Sequence, residues 1–258
     1  MSETVLRGGD LNVVVRIGDT VRRPVGRWSP AVHALLRHFE QVGFDGAPRF
    51  IGIDEQGREI LSYVEGEPAH APVPAGDDAV FELGALLRRM HDAQAGLAAP
   101  AGAVWQTMVG APGQGEVVCH YDCFWPNVVF RDGSPSALID WDLASPGPRL
   151  HDLASAANFW TPLRPDDQSE AWGLPTDRQE QRLRALCDGY GLTEAEREPL
   201  VGAVAEINRI GLATYQQWGR AERRPGWGET WDRDQDRYLV AKLAWFEDHR
   251  REIRSWLR

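Results

Sequence analysis

At 258 residues the chain can form one large domain or two small ones, with ample core. Its composition, 43% hydrophobic and 26% charged, is globular, and no apolar run approaches the ~20 residues of a membrane span. A net charge of −10 argues against broad binding to nucleic acid and is compatible with a cationic ligand. Cys119, Cys123 and Cys187 stand at no metal-like spacing, which excludes a disulfide framework or zinc site; a cytoplasmic protein is expected. MSETVLRGGD has no basic start before an apolar core, so no signal peptide is expected. The one lysine is Lys242.

Residues 4–23 read as three strands, with turns at Gly8-Gly9-Asp10 and Gly18-Asp19. Ser29-Pro30 opens a helix with Ala34, Leu35, Leu36 and Phe39 on its apolar face, and Gly43 ends it. PRFIGID and REILSYVEG are two further strands, turning at Glu55-Gln56-Gly57. Residues 1–64 therefore predict a small five-stranded lobe with one helix, and residues 65–258 a second lobe. EGEPAHAPVPAGDD is a Pro- and Gly-rich connection, followed by a helix over about 79–95. GEVVCH, NVVF and SALID are short strands; from His151 the chain is mainly helical. Strands before helices predict a bilobal α+β protein, and a cleft between lobes is the usual place for a small-molecule site.

The chemistry concentrates in CHYDCFWPNVVF, residues 119–130, and in LIDWD. Read singly, Asp122, Asn127 and Asp140 are ordinary turn residues. Together they are not: a hairpin would bring Asn127 beside Asp140. Carboxylate and amide oxygens are hard ligands suited to Mg²⁺ bound with phosphate, and an Asp left off the metal can accept a proton from a hydroxyl.

HYDCFWPN followed by LIDWD resembles the catalytic and metal-binding segments of the protein-kinase-like fold. The Pro before Asn127, and PGPRLHDLA downstream, resemble the aminoglycoside phosphotransferases. The resemblance covers residue 6 to about 155. It implies a small antiparallel-sheet lobe, a mainly helical larger lobe, and transfer of the γ-phosphoryl of ATP or GTP, with Mg²⁺, to a hydroxyl of a small acceptor; a cationic one suits the net charge. Asp122 would be the catalytic base, Asn127 and Asp140 the Mg²⁺ ligands, His120 the brace of the catalytic loop, and Asp152 an acceptor beneath it. Gly8 and Gly9 would cover the phosphates. Backbone groups at Tyr63 and Val64 would meet adenine.

The pattern departs from the family at the phosphate-binding lysine. Arg22 is the best-matched substitute, with Arg23 the runner-up; His33 stands nearest the position of the helix Glu that usually pairs with that lysine. Tyr121 replaces a small residue between the His and the Asp. An antibiotic of aminoglycoside type, a metabolic alcohol of choline, homoserine or sugar type, and a nucleotide binder with little transfer activity are the alternatives. Asp166, Asp167, Glu229 and Asp232 would serve a cationic acceptor.

Overall fold

The computed structural model describes residues 3–6, 14–69, 76–232 and 235–258. Strands β1 (Glu3–Leu6), β2 (Val14–Ile17), β3 (Thr20–Arg23), β4 (Phe50–Ile53) and β5 (Glu59–Ser62) form an antiparallel sheet in the order β1-β2-β3-β5-β4. Between β3 and β4 lies α1 (Ser29–Gln41). Its buried residues Ala31, Val32, Leu35, Leu36 and Phe39 recur at helical spacing, so one face packs inward. Pro30 sits in the first turn, where its missing N–H costs nothing. In register, Val21 lies opposite Leu61 and Arg23 opposite Glu59. Strand alternation therefore puts Val21 and Arg23 on one face and Arg22 on the other.

The chain crosses through β6 (Glu67–Pro68) to α2 (Asp77–Asp92), then β7 (Val117–Cys119), β8 (Val128–Arg131), β9 (Ser134–Leu138) and β10 (Ser145–Gly147). β6, β8 and β9 make a three-stranded sheet; β7 pairs with β10. The helices that follow are α3 (Arg149–Trp160), α4 (Asp166–Ala171), α5 (Gln179–Tyr190), α6 (Glu194–Thr214), α7 (Trp227–Trp231) and α8 (Gln235–Trp256). α6 runs directly into a π-helical segment, Tyr215–Ala221. The architecture is thus the bilobal α+β one expected. β6, β10, α4 and α7 have no counterpart in the sequence reading, which carried the helix of α6 on into the first residues of the π-helical segment. One continuous hydrophobic core runs from α1 through α2 and the short strands to α6 and α8. No helix among the described residues is long and apolar enough to cross a membrane.

Candidate active site

The segment between β7 and β8 is held from beneath by α3. The buried Asp152 carboxylate accepts hydrogen bonds from the backbone N–H of His120 (2.9 Å) and Tyr121 (2.7 Å) and from His91 Nε2 (3.0 Å). Burial pushes its pKa up, but the His91 hydrogen bond and the other donors outweigh burial and hold it below the usual value. His120 Nε2 donates to Ile139 O (3.0 Å), and its Nδ1 accepts from Asp122 N–H (3.3 Å). Burial lowers its pKa, consistent with a neutral brace. Trp160 Nε1 donates to Cys123 O (2.8 Å) and Trp125 Nε1 to Phe159 O (2.6 Å). The apolar bulk of the loop thus fastens it to α3, while its polar residues face elsewhere.

Tyr121 adopts φ 64°, rare for a side chain of its size. Its hydroxyl hydrogen-bonds His151 Nδ1 (3.1 Å) and fills the space a Cβ on Gly147 would need. The large residue at this position is matched by a glycine in PGPRLHDLA.

Asp152→Asn puts an amide against N–H donors, and is expected to cost about 3–5 kcal/mol. Because the folded-state pKa is depressed, this stability is present above the unfolded value of about 3.9 and lost as pH falls through the folded one. Urea midpoints of the two proteins should differ by a constant amount above about pH 5 and converge below that. A pH-independent difference would refute the charged role.

Asn127 Nδ2 donates to Asp122 Oδ2 (2.9 Å) and to Asp122 O (3.2 Å), leaving its Oδ1 with no hydrogen bond among the described residues. Ile139 N–H donates to Asn127 O (2.9 Å), which brings Asn127 beside the end of β9. There Asp140 turns at φ 62°, ψ 68°, its side chain 39% exposed. Burial, and then the charge of Asp140, push the Asp122 carboxyl up to about 7. One half-buried carboxyl, one amide oxygen and one more exposed carboxylate therefore converge. All are hard oxygen donors, a set that fits a divalent cation such as Mg²⁺.

The arginine that reaches this corner is Arg23. It binds Glu59 Oε1 (2.5 Å), Asp140 Oδ1 (2.8 Å) and Asp142 Oδ1. Burial opposes its charge, but Asp142, Asp140 and Glu59 more than offset that and keep its pKa high. Glu59 also meets His33 Nε2 at 2.5 Å, and His33 stacks on Phe50 at 3.7 Å. The expectation for Arg22 is corrected: it points to the opposite face, donating to Thr20 Oγ1 (2.6 Å) and lying 3.8 Å from Asp54. Tyr63 N–H donates to Asp19 O (2.8 Å), and Tyr63 and Val64 are half-buried in the stretch leading to β6. Gly8 and Gly9 lie outside the described residues.

Residues 101–200 match the model of the phosphotransferase enzyme family. The chain is also 40% identical over 200 residues, 76% of its own length and 76% of the relative's, to the trifolitoxin immunity protein of Rhizobium leguminosarum bv. trifolii. The chain belongs to the phosphotransferase enzyme family. Its fold is similar to that of amicoumacin kinase hAmiN in complex with AMP-PNP, Ca²⁺ and Ami (TM-score 0.64, 13% identity, 98% of this chain and 88% of that one). It is likewise similar to a choline/ethanolamine kinase family protein from Mesorhizobium loti (TM-score 0.58, 16% identity, 99% and 93%).

Within this phosphotransferase-family protein, sequence reasoning missed Glu59 and Trp28. Glu59 was open to discovery by aligning TVRR against REIL in antiparallel register, which sets it opposite Arg23. Trp28 Nε1 donates to Asp142 Oδ1 (3.0 Å), and the ring forms one wall of an open cavity of about 640 Å³. Trp105, from the segment before β7, and Trp218, from the π-helix, line it as well. So do Arg27, Gln217 and Arg224. Arg224 lies 4.2 Å over the Trp218 ring and pairs with Glu222. Asp166, Asp167, Glu229 and Asp232 do not line this cavity; Asp232 is paired with Arg223.

Proposed function

We propose that this protein transfers the γ-phosphoryl of ATP or GTP to a hydroxyl of a small molecule, with a toxin or antibiotic as the first class of acceptor. The observation that carries this reading is the convergence of Asp122, Asn127 and Asp140 at the end of β9. A nucleotide binder without transfer has no need of a half-buried carboxyl with a raised pKa beside two metal-type donors. The trifolitoxin immunity protein supports a toxin-directed role, and the hAmiN complex with AMP-PNP and Ca²⁺ supports nucleotide and divalent-metal use. The solved choline/ethanolamine kinase family protein keeps a metabolic alcohol as the second class.

In this reading Asp122 orients the acceptor hydroxyl and takes its proton. Asn127 Oδ1 and the exposed Asp140 carboxylate would hold Mg²⁺, which supplies charge neutralisation to the phosphates when bound. Arg23 replaces the usual lysine, and Glu59, from a strand rather than a helix, holds its guanidinium. Backbone groups at Tyr63 and Val64 would meet the base. Since Tyr63 N–H is engaged by Asp19, carbonyls and Val64 N–H are what remain there. Gly8 and Gly9 keep their proposed place over the phosphates.

The test is a thermal shift with ATP and GTP, with and without Mg²⁺, followed by nucleotide-consumption assays over hydroxylated antibiotics and metabolites. Mg²⁺-dependent nucleotide binding and acceptor-dependent consumption are expected. Nucleotide binding with no acceptor turned over across the panel would count against transfer.

A further inference from the structure

Two cations in the helical half lack a carboxylate. Arg164, between α3 and α4, is 0% exposed, and its guanidinium lies 3.7 Å over the Trp172 ring. Nη1 donates to the Tyr238 hydroxyl on α8. Nε and Nη2, which form the opposite edge of the guanidinium, have no partner among the described residues. Lys242 stands one helical turn beyond Tyr238 and is 6% exposed. Among the described residues neither cation makes an ion pair. The carboxylate that comes near Tyr238 is the exposed Asp167.

This arrangement is costly as it stands. A buried charge without a counter-charge is among the most unfavourable features a core can hold, and here two of like sign are neighbours. A buried water can satisfy donors but leaves the net charge in place. Adjacent guanidinium N–H groups in one plane match the two oxygens of a carboxylate or phosphate. We propose that Arg164, Lys242 and Tyr238 form a binding site for an oxyanion, held side-on by Arg164. Burial pulls the Arg164 pKa down to about 10, and burial, then the charge of Arg164, pull that of Lys242 well below its usual range. An anion would reverse both shifts.

The site adjoins the catalytic loop. Trp172 meets Trp125 at 4.7 Å and Phe124 at 6.4 Å, and both belong to the turn that starts at Asp122. The oxyanion is therefore either the acidic group of the acceptor, an assignment that rests on the phosphotransfer reading, or a free inorganic anion.

The experiment is thermal unfolding of the full chain without nucleotide, at constant ionic strength in chloride. Inorganic phosphate is added in one arm, 4-hydroxyphenylacetate in a second, and its neutral amide in a third. At about a hundred times its Kd the bound anion should raise Tm by roughly 5–10 °C. Lys242→Met and Arg164→Met should abolish the response. A response to the hydroxy acid but not its amide, with phosphate weak, assigns the site to an acidic acceptor. A response to phosphate that the hydroxy acid does not exceed assigns it to a free anion. No response in the wild-type protein, or an equal response in Lys242→Met, overturns the site. If Arg164→Met does not fold, Lys242→Met decides alone. Anion binding with no acceptor ever phosphorylated would leave the site standing and remove the phosphotransfer reading.

Discussion

Arg23→Ala is expected to destabilise the protein by about 3–5 kcal/mol and to remove most of its activity. The guanidinium is the counter-charge for Glu59 and Asp142, both buried, and for Asp140. Removing it leaves two carboxylates in a dry corner, where they must take up protons or open the structure. Asp140, 39% exposed, contributes less to the stability loss because solvent screens it. Arg23→Lys keeps the charge but not the several directed N–H groups, so a partial loss is expected. Arg22→Ala is the control. Its partners are Thr20 and Asp54 on the other face of β3, and the change should cost under about 1 kcal/mol. Melting temperatures and the nucleotide KM of all three variants check this. Equal damage from Arg22→Ala and Arg23→Ala would sink the assignment of Arg23 to the cleft.

Asp122→Asn should lower kcat by about 10²–10⁴-fold while leaving nucleotide affinity within a few-fold, because the carboxylate acts on the acceptor hydroxyl. The fold should not suffer. Asn is close in shape, can still accept from Asn127 Nδ2, and removes a carboxyl whose charged form burial opposes. A melting temperature equal to or above the wild-type value, together with lost turnover, is the expected pair of results. Undiminished turnover removes the base.

Most of the fold was legible because hydrophobic period and turn residues agree along the chain. TVLRGGDLNVVVRIGDTVRR alternates as strands do, and the face of α1 repeats every three to four residues. The convergence of Asp122, Asn127 and Asp140 was legible because they lie close in sequence, at two ends of one hairpin. Arg23 was misplaced in favour of Arg22 because strand register is a period-two property, and a slip of one residue exchanges the faces. The helix position of the usual Glu carries no carboxylate here, and the carboxylate stands instead on the strand opposite. Glu59 and Arg23 are 36 positions apart, and only pairing of β3 with β5 joins them. Arg164 and Lys242 were invisible for another reason. Charged residues in TPLRPDD and YLVAKLAW read as solvent-facing, and nothing local signals that both are buried.

An arginine in the place proposed for phosphate binding also changes how this protein can be probed. A guanidinium stays protonated near neutral pH and is a poor nucleophile, whereas an ε-amine can be acylated. Reagents that carry an acylating group on a nucleotide and capture the amine beneath it would find none here. The chain's single lysine lies enclosed on α8, against Arg164 and away from Arg23. Covalent profiling of this kind would miss the protein even in a cell where its cleft is filled, so occupancy has to be measured by reversible binding.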